Sequence, residues 1–185
     1  MTEKTAKPRH RSPARPRKSP LHSAPRQPVT SKAWRQFADR LLVSLCALEE
    51  DEFLVLQVKG TDRYVQFMDQ GAFGLRAESV SDFYLSEGDH LSEEDYRILL
   101  NLGWHAPTRL PEIFGHDFDG SSNYYLDLAR PVSMEDVAVM AVLTFIHVHR
   151  AGHPGRLEYD ARSLTGQSIR LPTLGIRRRA MEAQA

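Results

Sequence analysis

The sequence predicts a two-layer α+β domain in the order α-β-β-β-α-β-β-α, an antiparallel sheet with helices packed on one face. Three observations carry this. Apolar residues recur at three- and four-residue steps in separate stretches, the signature of amphipathic helices. Three short segments between the first two such stretches alternate apolar and polar residues, as half-buried strands do. The joints between those segments are only three or four residues long, too short for a crossover, so the strands must run antiparallel.

The first helix is expected over residues 33–48, where Trp34, Phe37, Ala38, Leu41, Leu42, Leu45 and Cys46 form one broad stripe and Thr30 or Ser31 can cap the start. Cys46 is therefore read as a small core residue. The run Glu49-Glu50-Asp51-Glu52 sets four carboxylates against the negative end of that helix and reads as a solvated turn. Strands are expected at 53–59, 63–68 and 73–80. Period-two bookkeeping places Leu54, Leu56, Val58, Val65 and Phe67 on the face against the first helix, and which face Leu75 and Ala77 join depends on the register of the second hairpin, which the sequence leaves open. The opposite face collects Gln57, Tyr64, Gln66, Met68, Arg76 and Glu78.

A second helix over 92–102 opens on Ser92-Glu93-Glu94-Asp95, a capping box with Asp in place of Glu or Gln, and stops at Gly103. A short extended stretch begins at Trp104 and ends near Pro107, residues 108–121 read as a polar loop, and 123–128 as a further strand. Ser133 caps the last helix, 134–150, which is apolar nearly all round and so expected to be the most buried. Residues 156–161, "RLEYDA", add a short terminal element. The aromatic residues Trp34, Phe37, Phe53, Phe67, Tyr96 and Trp104 are assigned to the core.

The formal charge of zero hides a segregation. Residues 1–32 carry nine Lys/Arg against one acid (+8), residues 33–161 ten against 22 (−12), and residues 162–185 five against one (+4). The organisation expected is a disordered, basic, Pro-rich arm over 1–32, a folded acidic body over 33–161 and a basic flexible tail over 162–185. The arm holds six of the eleven prolines and almost no large apolar side chain, so it cannot offset its ordering entropy. Its charge suits weak contact with nucleic acid or an acidic partner, but no aromatic residue stands among the charges for base stacking. One cysteine excludes an intrachain disulfide and any multi-cysteine metal site. With no long apolar run and no secretion signal, a soluble cytoplasmic protein without membrane contact is expected.

Four segments, "RYVQF" at 63–67, "LRAESVSDFYL" at 75–85, "LS" at 91–92 and "LGWHAP" at 102–107, resemble a family of small bacterial domains. These are the YbjN-like and type III secretion chaperone-like (TY-Chap) peptide-binding domains. The likeness spans residues 34–161 and agrees with the helix, three-strand, helix order. Asp82 stands where members of the family often carry Asn. The resemblance implies a non-catalytic module that holds a peptide or partner protein, and it implies pairing of two copies into a homodimer. It names no partner.

There is no P-loop, dinucleotide-binding glycine pattern, His-Glu-x-x-His helix or nucleophile elbow. "HDFDG" at 116–120 offers an imidazole and two carboxylates but lacks the ligand count of an EF-hand loop. No enzyme, metal or cofactor is expected. The partner-binding candidates are Tyr64, Gln66, Met68, Arg76, Glu78 and Tyr84. Tyr and Met supply adaptable apolar area, and Gln, Arg and Glu orient polar groups, as an extended peptide requires. The third strand is also expected to offer an open edge for strand addition. Two other readings stand beside this one: the plain solvent side of a half-buried sheet, and a nucleic-acid-associated protein acting through its arm.

Overall fold

A computed structural model describes residues 31–108 and 120–179. The basic arm therefore lies outside the described residues except for Ser31 and Lys32, and of the "HDFDG" segment only Gly120 is described. Helix α1 spans Lys32–Cys46, with the Ser31 side chain accepting from the Trp34 amide at 3.3 Å. It buries Trp34, Phe37, Ala38, Leu41 and Leu45. The chain then makes three strands, β1 (Glu52–Val58), β2 (Tyr64–Asp69) and β3 (Leu75–Ser79). Helix α2 (Glu93–Leu102) carries the expected capping box between Ser92 and Asp95 and ends on Gly103 in the left-handed region. Strand β4 (Tyr124–Leu128), helix α3 (Met134–His147), strand β5 (Leu157–Ser163) and a two-residue strand β6 (Arg177–Arg178) complete the fold. Eight of the nine positions from Val137 to Phe145 are buried, with only Val139 partly exposed, which makes α3 the most buried helix.

The sheet has the order β4-β3-β2-β1-β5-β6, antiparallel except for the β5–β6 pair. Its covered face is the one that period-two alternation predicts for β1 and β2, and the β2–β3 register, with Phe67 opposite Ala77, settles that Leu75 and Ala77 join it. Leu54, Leu56, Val58, Val65, Phe67, Leu75 and Ala77 are all buried and join the helices in one core. Each such Leu or Phe contributes about 1.5–3 kcal/mol by leaving water. The β2–β3 turn requires a glycine. Gly74 has φ +112°, and a Cβ there would lie 1.9 Å from the Leu128 carbonyl oxygen of β4.

Several expectations are corrected. The stretch from Trp104 to Pro107 is not a strand; it makes a single bridge, His105 with Tyr125. Pro107 has no N–H to extend it. The short terminal element is a full seven-residue strand, β5, which pairs with β1 from Glu52↔Ser163 to Val58↔Leu157. The chain after Ser163 does not leave the body either. Leu171 and Leu174 are buried in the core, and Arg40 Nε of α1 donates to the Leu174 carbonyl at 3.1 Å. Two leucines in an Arg-rich stretch are too few to make a periodic signal. The third strand has no open edge, because β4 pairs along it. Cys46 is exposed: it sits about 100° past Leu45, off the buried stripe, which continues to Leu48. Phe53 lies only partly buried, its strand position pairing with Met68 on the face opposite the helices.

Candidate functional site

The uncovered face of the sheet is built by the alternate residues of the same strands. Across β2, β3 and β4 the register aligns Gln66 with Glu78 and Tyr125, and Met68 with Arg76 and Asp127. Such opposed pairs stand close enough for side chains to bond across strands. Five of the six sequence candidates, Tyr64, Gln66, Met68, Arg76 and Glu78, thus share this face, all partly exposed.

Glu78 is the centre of a hydrogen-bonded network. Its Oε1 accepts from Arg76 Nε at 3.0 Å, and its Oε2 accepts from Gln66 Nε2 at 2.6 Å and Asn123 Nδ2 at 3.2 Å. Ser121 is a further side-chain partner. Burial is the largest single influence on the Glu78 carboxyl and pushes it up, yet the bonds from Ser121, Asn123 and Gln66 and the Arg76 charge together hold it below the usual carboxylate value. Asn123 also donates to the Tyr64 hydroxyl at 3.1 Å and accepts from the Ser81 amide at 3.2 Å. Burial, more than the neighbouring Tyr84 and Glu78, raises the Tyr64 phenol. Arg76 lies 5.2 Å from the centre of the Tyr125 ring and 3.6 Å from Asp127. The polar residues here satisfy one another, as half-buried polar groups must.

The "SDFYL" segment places the sixth candidate. Ser81 caps a single 3₁₀ turn, Asp82–Tyr84, by accepting from the Phe83 amide at 3.3 Å. Asp82 ties that turn to the start of α2, accepting from the Leu91 amide at 2.7 Å and from the Tyr96 hydroxyl. That bond is the chief reason the Tyr96 phenol is raised, and burial with the Asp82 charge pushes Tyr124 up to about 12. With Asp82 held inward, Phe83 and Tyr84 project outward, each about half exposed, their rings edge to face with centroids 4.8 Å apart. An Asn at position 82 would keep an acceptor for the same bonds.

Tyr84 closes one side of a shallow depression of about 270 Å³ lined by Val55, Gln57, Asp62, Tyr64, Gln66, Tyr84 and Arg179. Three sequence candidates, Tyr64, Gln66 and Tyr84, line it, while Met68, Arg76 and Glu78 lie farther along the strands. Sequence reasoning missed Val55, Asp62 and Arg179 in the depression, and Ser121 and Asn123 in the network. Ser121-Ser122-Asn123 carries only a turn signal, and Arg179 sits in a stretch whose composition reads as a tail.

A buried pair lies beneath this site. Ser79 Oγ and His149 Nε2 are 3.1 Å apart, both inside the core. Burial first, then the Arg63 charge, pushes the His149 imidazole down to about 3, so it is neutral at ordinary pH and bonds Ser79 structurally. Among the described residues no group of His, Cys, Asp and Glu is placed to hold a metal, and no helix is long and apolar enough to cross a membrane.

Comparison with curated proteins and with solved structures found no match. One family model matches, over residues 27–163: TY-Chap3, described as T3SS (YopN, CesT) and YbjN peptide-binding chaperone 3. That span runs through α1, all of β1–β4 and both later helices to the last residue of β5, and it contains the Glu78 network and every sequence candidate. By this match the chain belongs to the TY-Chap3 family of peptide-binding chaperones.

Proposed function

We propose that the chain is a non-catalytic chaperone-like module that holds an extended peptide, or a segment of a partner protein, against the uncovered face of its sheet. The observation that carries this is the pairing of aromatic and polar groups on a face that none of the described helices covers: Tyr64 and Tyr84 beside the depression, Met68 farther along, and a polar hydrogen-bonded network between them. In this reading Tyr64, Gln66, Met68 and Tyr84 touch the partner. Arg76 and Glu78 act mainly by holding the face in shape, because their own bonds are already made within it. An open face of this kind suits a chain that can be laid along it, with large rigid side chains giving contact area at low entropy cost.

The test is site-specific photocrosslinking in the native host. A photoreactive phenylalanine analogue replaces Tyr84 in one variant and Val43 in another; Val43 is about half exposed on α1. Defined adducts from position 84 and none from position 43 are expected. Adducts from position 43 alone, or the same adducts from both, would remove the uncovered face from the function.

A further inference from the structure

The family match ends at residue 163, yet the described chain continues as an ordered part of the body to Arg179. Residues 164–179 fold back over the core. Leu171 and Leu174 are buried, the Leu171 amide donates to the Tyr159 hydroxyl at 3.2 Å, and Gly175 lies against the Arg40 side chain, which itself bonds the Leu174 carbonyl. This anchoring fixes where the segment emerges. β6 runs parallel to β5, the Arg179 amide donates to the Tyr159 carbonyl at 2.7 Å, and the Arg179 side chain is delivered onto the uncovered face. There its Nη1 donates to Gln57 Oε1 at 2.6 Å. Gln57 is itself held, its Nε2 donating to the Thr61 carbonyl.

The depression is therefore polarised. Val55 gives its lining an apolar part, Tyr64 and Tyr84 give it aromatic rings, and Asp62 is the one carboxylate in it. Arg179 brings a guanidinium, and its Nε and Nη2 have no partner among the described residues. The flanking residues Arg177 and Arg178 belong to the same basic run, on a body that is otherwise acidic. A guanidinium already oriented by one bond, with no other partner among the described residues, is suited to a carboxylate.

We propose that the segment 164–179 is a specificity element, and that the depression binds an extended peptide through an acidic side chain on Arg179 and a neighbouring apolar side chain between Tyr64 and Tyr84. The occupant is an internal Asp or Glu and not a chain terminus, because the depression is open and not an enclosed pocket. This rests on the peptide-binding reading above.

The experiment is a selection of random octapeptides against the full-length protein, in amidated and free-acid formats, followed by titration of enriched peptides against variants. Enriched amidated peptides should carry Asp or Glu next to Leu, Phe or Tyr. Arg179→Glu should weaken them at least about 10-fold while Arg179→Lys retains part of the affinity. Raising the salt concentration should weaken the wild-type complex too. Arg179 is exposed, so its variants should melt with the wild type. Enriched peptides that are blocked by Val55→Arg but indifferent to Arg179→Glu would overturn the acidic preference and leave the peptide-binding reading standing. Binding of free-acid peptides alone would overturn the internal side chain as the group recognised. No enrichment in either format would overturn both readings.

Discussion

The two faces of one sheet use the same strands in opposite ways. On the covered face Leu54, Leu56, Val65, Phe67, Leu75 and Ala77 are sealed against the helices and gain stability from being removed from water. One residue along, on the uncovered face, Gln66, Arg76 and Glu78 are half-buried and gain theirs by bonding one another and Asn123. The covered face is specified by volume and tolerates loss of atoms badly. The uncovered face is specified by complementary donors and acceptors, which hold it in shape with no second layer over it among the described residues. Rigidity without cover is what a binding surface needs, since a preorganised face spends less entropy on holding a partner.

Substitutions on the two faces should separate these modes. The largest effect is expected for Phe67→Ala, which opens a cavity in the core and should cost about 3–5 kcal/mol in urea unfolding at any pH where the protein folds. A loss no larger than that of a surface change would mean the faces are not distinct. Glu78→Gln should cost less, about 1–3 kcal/mol, by leaving donors without their charged acceptor. Its loss should also depend on pH. The Glu78 carboxyl is held below its ordinary value of 4.5 when folded, so the unfolded chain takes up the proton first. The stabilisation is complete above about pH 4.5 and fades as pH falls through the lower folded-state value, so the variant and wild-type stability curves should converge in acid. Parallel curves would show that the carboxylate charge is not what the network uses. The smallest effect is expected for Cys46→Ser, within about 0.5 kcal/mol, as for most exposed positions. In the wild type a thiol reagent should label Cys46 without unfolding; protection until unfolding would return it to the core.

The division between faces was legible in the sequence because it is local. Alternation in β1 and β2 assigns each residue to its side and the short turns fix antiparallel pairing, while the side of Leu75 and Ala77 waited on the β2–β3 register. Helix α2 was legible from Ser92, Asp95 and Gly103, residues whose conformational preferences act within one turn. What escaped depends on distant partners. Nothing near "RLEYDA" says that it will lie beside β1, about a hundred residues earlier, and nothing near Leu171 or Leu174 says that two leucines will find the core. The binding candidates were partly legible for the same reason. Tyr64, Gln66, Met68, Arg76 and Glu78 follow from period two, and Tyr84 was read from the end of the third strand. Asn123 and Arg179 reach the face only through tertiary structure.

The position of β5 has a consequence for how the protein is made. Strands β1 to β4 form a meander whose members pair in order as they emerge, but the outer side of β1 waits for β5, which is synthesised only after α3. Throughout translation of α2, β4 and α3 the nascent chain presents the unpaired edge of Glu52–Val58, with Phe53 and Val55 on its less protected side. A ribosome that stalls or terminates before Leu157 would release a sheet with an apolar, hydrogen-bond-hungry margin, a substrate for chaperones, proteases or self-association. β5 is therefore also the closure that ends the exposure of the β1 edge.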